Sequence, residues 1–165
     1  MPEVIFDCCV LSNFALSDSF NIVKSIYANT SYITDFVSVE ILKGFQKGYT
    51  ELAEIRNAVR DGWIKEIALS GKEEKNLFES LSISLGLGEA SSIAVAKTRE
   101  LVFACDDKAA RYEANYLKVK LTGTLGILKK AVNVKNITLK EADSILNRMI
   151  GCGFYSPVNS IKDIP

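Results

Sequence analysis

Five acidic residues lie close to the points where short apolar segments end or where helices are expected to begin. They are Asp7, Glu40, Glu89, Asp106 and Asp107. Carboxylates that meet in one place repel one another unless a cation or shared protons relieve the repulsion. Such oxygen ligands suit Mg²⁺ or Mn²⁺, and two ions ~3.5–4 Å apart can hold both the attacking and the leaving oxygen of a phosphodiester.

Each acid also has a simpler structural interpretation. Glu89 could complement a helix dipole, Asp106 could be an N-cap, and Glu40 could be a solvated residue in the middle of a helix. Asp7 is the hardest to explain in this way, because it follows a buried strand and precedes an apolar segment. A carboxylate in that setting needs a partner.

The composition narrows the chemistry further, because the 165-residue chain contains no histidine. That excludes Ser-His-Asp and Cys-His catalysis and disfavours zinc sites of the usual kind. Cys8, Cys9, Cys105 and Cys152 form no C-x-x-C pair and are predicted to be buried free thiols in a reducing compartment. Catalysis would therefore use carboxylates, Lys, Tyr, Cys or a bound metal.

The charge balance limits the partners of this chain. Net charge is zero, with 20 basic and 20 acidic residues, which argues against a long footprint on duplex DNA. Basic residues are concentrated between positions 108 and 135, where a short nucleic-acid segment could bind. The sequence shows neither a signal peptide nor an apolar run of ~18 residues, so we expect a cytoplasmic protein that does not contact membranes.

Strand and helix patterns alternate along most of the chain. The apolar runs predict strands at 4–6, 31–34, 101–105 and 118–121, with a half-exposed strand within 63–69. The helices are predicted at 11–16, 21–28, 51–60, 72–85, 107–117 and 125–132. Three further helices are expected: one capped by Asp35, one that begins at Glu89, and one that begins at the capping box Thr138-x-x-Glu141. This order predicts an α/β fold with a mainly parallel sheet, in which ligands bind at the carboxyl ends of the strands.

Five segments in order resemble the PIN-domain family. They are I-F-D-C-C-V-L-S-N-F with Asp7, V-S-V-E-I-L-K-G with Glu40, G-E-A-S-S-I-A-V-A with Glu89, C-D-D-K-A-A-R with Asp107, and T-G-T-L-G-I-L at 122–128. The similarity covers about residues 4–132. It implies a three-layer α/β/α sandwich within a single domain of residues 1–165, with a C-terminal helix and tail at 138–165.

The resemblance also implies a function and a site. It implies an endoribonuclease that depends on Mg²⁺ or Mn²⁺ and cuts single-stranded or structured RNA, with Asp7, Glu40, Glu89 and Asp107 as catalytic residues. Asp7, Glu89 and Asp107 would hold the metal, and Asp106 is a less favoured ligand. Many short members resemble VapC-type toxins, so an antitoxin protein and a homodimer are the expected partners.

A further set of residues is predicted to contact RNA or to support the metal ligands. The set consists of Ser12, Asn13, Lys108, Arg111, Thr122, Thr124, Lys129 and Lys130. The chain departs from the family pattern at Cys8 and Cys105, where Thr or Ser is frequent. A thiol is a poor ligand for a hard ion, which puts the second metal position and the rate of turnover in question.

Three rival functions remain open on the sequence. A PIN-like module that binds RNA or a protein without cutting is compatible with the two cysteines and the neutral charge. A phosphatase with an Asp nucleophile is disfavoured because the first strand ends in D-C-C rather than D-x-D. A Rossmann cofactor domain is disfavoured because no G-x-G-x-x-G follows that strand.

Overall fold

Five short parallel strands form the centre of the computed structural model, which describes residues 2–165. The strands are β1 (Val4–Phe6), β2 (Ser31–Thr34), β3 (Ile64–Ile67), β4 (Val102–Ala104) and β5 (Leu121–Thr122). Their order in the sheet is β3-β2-β1-β4-β5, and each neighbouring pair is parallel. The parallel sheet predicted from the alternation of apolar runs is therefore confirmed.

Helices follow the strands and cover both faces of the sheet. They are α1 (Cys8–Leu16), α2 (Phe20–Tyr27), α3 (Asp35–Gln46), α4 (Ala53–Arg60), α5 (Lys72–Leu81), α6 (Leu87–Arg99), α7 (Lys108–Tyr116), α8 (Thr124–Asn133) and α9 (Leu139–Gly151). Two 3₁₀ turns lie at Thr50–Leu52 and Ile161–Asp163. None of the helices described within residues 2–165 is both long enough and apolar enough to cross a bilayer.

The side chains of β1 alternate between two apolar cores, as the pleat of a strand requires. Val4 and Phe6 pack with α1–α4, α8 and α9, whereas Ile5 packs with α5, α6 and α7. All three side chains are buried, which explains the continuous apolar run in the sequence. The predicted three-layer α/β/α sandwich is confirmed.

The strand order of the sheet reverses between β1 and β4. Strands β2 and β3 lie on one side of β1, and β4 and β5 lie on the other. β1 and β4 are paired as far as Phe6 and Ala104, and the N–H of Asp7 donates to the carbonyl of Ala104 at 2.9 Å. The crevice at the carboxyl ends of strands at such a switch point is where open α/β sheets bind ligands.

Some predicted element boundaries were wrong, and local geometry explains two of the differences. The last strand was predicted at 118–121 but occupies Leu121–Thr122, because Lys118 adopts a left-handed conformation (φ 61°) at the end of α7. The cap of α3 was predicted at Asp35. Thr34 fills that role instead, because its hydroxyl accepts the N–H of Val37 at 3.2 Å.

The C-terminal segment packs against the larger core. Ala142, Leu146 and Met149 of α9 are buried, and Ile161 is buried in the tail. The predicted capping box is confirmed. The Thr138 hydroxyl accepts the backbone N–H of Glu141, and the backbone N–H of Thr138 donates to the Glu141 carboxylate. Residues beyond about 132 are therefore part of the same packed structure as the strands.

Candidate metal centre

Asp7 occupies the switch point of the sheet. It is the N-cap of α1, its side chain is 2 % exposed, and no side-chain capping bond satisfies its carboxylate. The N–H groups of Cys8 and Cys9 lie close enough to favour its charged form. The strand-to-helix turn thus fixes this carboxylate at the carboxyl edge of the sheet.

Burial, together with the nearby charges of Glu89 and Glu40, raises the pKa of Asp7 from 3.8 to about 7. Among residues 2–165, the ion pairs are Arg60–Asp61 and Arg99–Glu74, so Asp7 has no cationic side chain as a partner. A carboxylate that is buried and unpaired either keeps a proton or binds a cation.

Glu89 reaches Asp7 from the first turn of α6. Its carboxylate accepts the N–H of Gly86, the N-cap of that helix, at 3.3 Å. One oxygen of Asp7, one of Glu89 and the sulfur of Cys105 all lie within 4.8 Å of one another. Burial raises the pKa of Glu89, and the nearby charges of Asp107 and Glu40 raise it further. The structure therefore brings these predicted site residues together.

Glu40 belongs to the same cluster, although it lies in the middle of α3. Its carboxylate accepts the N–H of Gly88 at 3.2 Å, and burial raises its pKa. A Cβ on Gly88 would lie 2.5 Å from Glu40 Oε2, so only glycine permits this approach. Gly88 is a site residue that sequence reasoning missed, because its partner is 48 positions away.

The two acids that follow β4 have different hydrogen-bond partners. Asp107, not Asp106, is the N-cap of α7, because Asp107 Oδ1 accepts the N–H of Ala110 at 2.9 Å. The predicted capping role of Asp106 was therefore wrong. Asp107 lies near enough to Glu89 to raise the pKa of that glutamate. Its role as a metal ligand remains a prediction.

Asp106 instead ties together three elements at the rim of the crevice. Its Oδ1 accepts the N–H of Thr124 at 2.9 Å, and its Oδ2 accepts the Thr124 hydroxyl at 2.6 Å and the Asn13 amide at 3.1 Å. Asn13 also donates to the Thr124 hydroxyl at 3.1 Å. This network links α1, the loop after β4 and the start of α8, which gives Asp106, Asn13 and Thr124 a positioning role.

The thiols near the centre are neutral neighbours of these acids. Cys105 is buried, its Sγ lies 3.9 Å from Asp7 Oδ2, and burial with the Asp7 charge raises its pKa. Burial likewise raises the pKa of Cys8 to about 11 and of Cys9 to about 12. All four cysteines are free, but the prediction that they are buried was wrong for Cys9 and Cys152, which are exposed.

The predicted substrate-binding residues fall into two groups. Lys108 is exposed in the first turn of α7, next to Asp107. The others already contact the protein. Arg111 donates to Cys105 O and Thr122 O at 2.7 and 3.0 Å, and the Ser12 hydroxyl lies 3.7 Å from Cys8 Sγ. The Lys129 ammonium donates to the carbonyl oxygens of Ile164 and Pro165. Nζ of Lys130 lies 4.7 Å from the centre of the Tyr27 ring. Direct RNA contact remains a prediction for all of them.

Comparison with known proteins supports the interpretation of this cluster. A family model described as a PIN domain matches residues 3–164. The chain belongs to the PIN-domain family. PIN domains form a nuclease-type fold family, and PIN nucleases typically use divalent metal ions. The search of curated proteins returned no match to this sequence.

The donor set of this PIN domain fits a hard divalent ion. Carboxylate oxygens from Asp7 and Glu89 are the ligand type that Mg²⁺ and Mn²⁺ prefer. Burial and the neighbouring acids raise the pKa of Asp7, and the ion pairs within residues 2–165 do not include it, so the protein supplies no positive charge to this carboxylate. The protonated thiol of Cys105 adds no charge and is a poor ligand for such an ion.

Proposed function

We propose that this PIN domain is a metal-dependent endoribonuclease that cleaves single-stranded RNA. The observation that carries the proposal is the buried, unpaired carboxylate of Asp7, with Glu89 and Glu40 close enough to raise its pKa. Such an arrangement costs stability unless a cation binds, and strongly perturbed acids in a crevice are typical of functional sites.

Each acid has a distinct role in this proposal. Asp7, Glu89 and Asp107 would hold Mg²⁺ or Mn²⁺, which when bound lowers the pKa of a water and stabilises charge on a phosphate. Glu40, fixed by the N–H of Gly88, would orient the attacking water and accept its proton. The carboxylate of Glu40 is suited to that role because burial raises its pKa.

The RNA strand would run past the start of α7. Lys108 is exposed beside Asp107 and is the basic residue we propose for contact with a flanking phosphate. Arg111 and the Lys129–Lys130 pair would contribute less, because intramolecular contacts already hold these side chains. The neutral net charge suits a short single strand better than a long duplex.

We further propose the biological setting of a toxin. Membership of the PIN-domain family supports a cytoplasmic ribonuclease controlled by an antitoxin protein, with a second copy of the chain as an additional partner. Exposed apolar side chains at Val39, Leu42 and Tyr49 provide contact area for a partner. Light scattering of the purified chain should give twice the mass of the monomer, and a monomer at every concentration would contradict the dimer.

The central test compares Asp7→Asn with a matched control. We expect the parent chain to cut fluorescent single-stranded RNA in Mn²⁺ and EDTA to abolish cutting. Asp7→Asn should reduce the rate and the Mn²⁺ affinity measured by calorimetry by more than about 100-fold, because it removes a ligand rather than a residue that only supports one. Glu51→Gln, which changes an exposed acid, should leave both unchanged. An Asp7→Asn protein as active as the parent would contradict the proposal.

The second candidate function is RNA or protein binding without cleavage. The specific observation in its favour is the Cys105 thiol beside Asp7, where the family often has a hydroxyl that could serve as a ligand. In that case the parent chain should bind single-stranded RNA, and no chelator-sensitive cleavage should appear in Mg²⁺ or Mn²⁺. Cleavage that EDTA abolishes would exclude this alternative.

A further inference from the structure

A second concave site adjoins the candidate metal centre. Its volume is about 440 Å³, within the ~300–1,000 Å³ usual for small-ligand sites. Asp106 and Arg111 line it, so it begins at the residues that border the metal centre. The corner between β5 and α8 and the C-terminal segment supply the rest of its lining. A molecule that reaches the metal centre could therefore also enter this cavity.

The C-terminal part of the lining presents an exposed aromatic ring. Tyr155 is 88 % exposed, and Phe154 and Pro157 flank it in the lining of the cavity. A tyrosine ring offers a large flat apolar face together with a polar hydroxyl, which suits contact with an aromatic ligand. No other residue of the lining carries an exposed aromatic ring within residues 2–165.

The segment that carries Tyr155 is anchored on both sides. Before it, the N–H of Phe154 donates to the last turn of α9 at 3.0 Å. After it, Asp143 accepts the N–H of Ile161 at 2.8 Å, and the Lys129 ammonium donates to the carbonyls of the last two residues at 3.1 and 2.7 Å. The ring is therefore presented by a fixed segment, which lowers the entropic cost of stacking a ligand on it.

Polar groups complete the cavity. Nη1 of Arg111 donates to two backbone carbonyls, which fixes the position of the guanidinium. Within residues 2–165, the hydrogen bonds of the Arg111 side chain come from Nη1, which leaves Nε and Nη2 as donors for a ligand. An aromatic face with nearby donors is the combination that binds unpaired nucleobases in single-strand recognition.

We propose that this cavity binds one unpaired nucleobase of the RNA strand whose backbone lies at the metal centre, with the base stacked on Tyr155. The inference rests on the proposed ribonuclease function and adds a position at which the strand is held. Arg111 supplies hydrogen bonds to the edge of the base. A base within a duplex could not enter, so the cavity would also favour single-stranded over paired RNA.

The test measures binding of a short fluorescent single-stranded RNA by anisotropy, with every protein carrying Asp7→Asn to prevent cleavage. Tyr155→Ala should raise Kd by about 5- to 100-fold, the range expected for loss of one stacked base. Tyr155→Phe keeps the ring and should stay within about twofold of the parent. The matched control is Tyr116→Ala, which removes an exposed tyrosine at the end of α7 that does not line the cavity and should also leave Kd unchanged.

RNAs with one abasic nucleotide at successive positions locate the stacked base. At one position the abasic RNA should bind weakly, and Tyr155→Ala should have no additional effect there. If Tyr155→Ala binds intact RNA as well as its parent, while the chain with Asp7 cleaves that RNA, the subsite is overturned and the proposed function stands. If the chain neither binds nor cleaves RNA, both are overturned.

Discussion

Two buried carboxylates on this chain, Asp7 and Glu74, have opposite surroundings. They are 2 % and 3 % exposed. Burial alone would raise the pKa of Glu74, but bonds from the Arg99 guanidinium, the Thr98 hydroxyl and the Ser70 N–H hold it below its usual value. Asp7 has no cationic side chain beside it, and two further acids are close to it.

The difference shows that burial by itself does not identify a functional acid. Glu74 has enough hydrogen-bond donors to remain charged. Through Ser70 and Arg99 it connects the loop before α5 to the end of α6. Asp7 receives no positive charge from the protein after folding, so it either keeps a proton or binds a cation. A buried acid is a candidate ligand when the protein does not supply its partner.

The pH dependence of stability should separate these two acids most strongly. The pKa of Asp7 is raised from 3.8 to about 7 on folding, so between these values the unfolded chain has lost a proton that the folded chain keeps. The free energy of unfolding should therefore fall as pH rises from about 4 to about 7, by up to about 4 kcal/mol. Glu74 contributes in the opposite direction, because the stability it provides is lost as pH falls below 4.5.

Urea denaturation of the metal-free chain across this pH range measures the effect. Asp7→Asn should remove much of the decline, and saturating Mn²⁺ should counteract it because the ion binds the charged carboxylate. The comparison fails if Asp7→Asn and the parent lose stability in parallel between pH 4 and pH 7.

A smaller effect is expected at the satisfied carboxylate. Glu74→Gln removes the charge that pairs with Arg99 and should lower the free energy of unfolding by about 2 kcal/mol. The control is Glu73→Gln, one position earlier on α5 and exposed, which should change it by no more than about 0.5 kcal/mol. Neither variant should alter RNA cleavage, and a cleavage defect in Glu74→Gln with intact folding would contradict its structural role.

Glu40 offers the subtlest test, because it is half-buried and accepts one N–H from Gly88. In Gly88→Ala the new Cβ would lie 2.5 Å from Glu40 Oε2 and displace that carboxylate. We expect a cost of about 1 kcal/mol in unfolding free energy and at least about a tenfold lower cleavage rate. Gly151→Ala, where no atom lies within 4 Å of the new Cβ, should leave both unchanged. Cleavage retained in Gly88→Ala would show that the position of Glu40 is unimportant.

Much of this fold was readable from short sequence patterns. The apolar segment of β1 ends at Asp7, and apolar periodicity located the helices to within a few residues in most cases. The Thr138 capping box was also predicted correctly. These features depend on residues within one turn or one strand, so local composition is sufficient to predict them.

The roles of neighbouring acids were less predictable. Both Asp106 and Asp107 could have capped α7, and the choice depends on Thr124 and Asn13, which hold Asp106 away from the helix end. The network around Glu74 was missed entirely, because Arg99 is 25 positions away and approaches it only after α5 packs on α6.

The sequence by itself predicted that carboxylates gather at one edge of a parallel sheet, because Asp7, Glu89, Asp106 and Asp107 lie at the end of a strand or the start of a helix, and Glu40 lies a turn or so further along. The tertiary structure decided which carboxylates find donors within the protein and which do not. Partners such as Gly88 for Glu40 are 48 residues apart and meet only through packing of α3 against α6. Hydrogen bonds and charge pairs depend on distances of a few ångströms, which long-range packing sets and local sequence patterns do not encode.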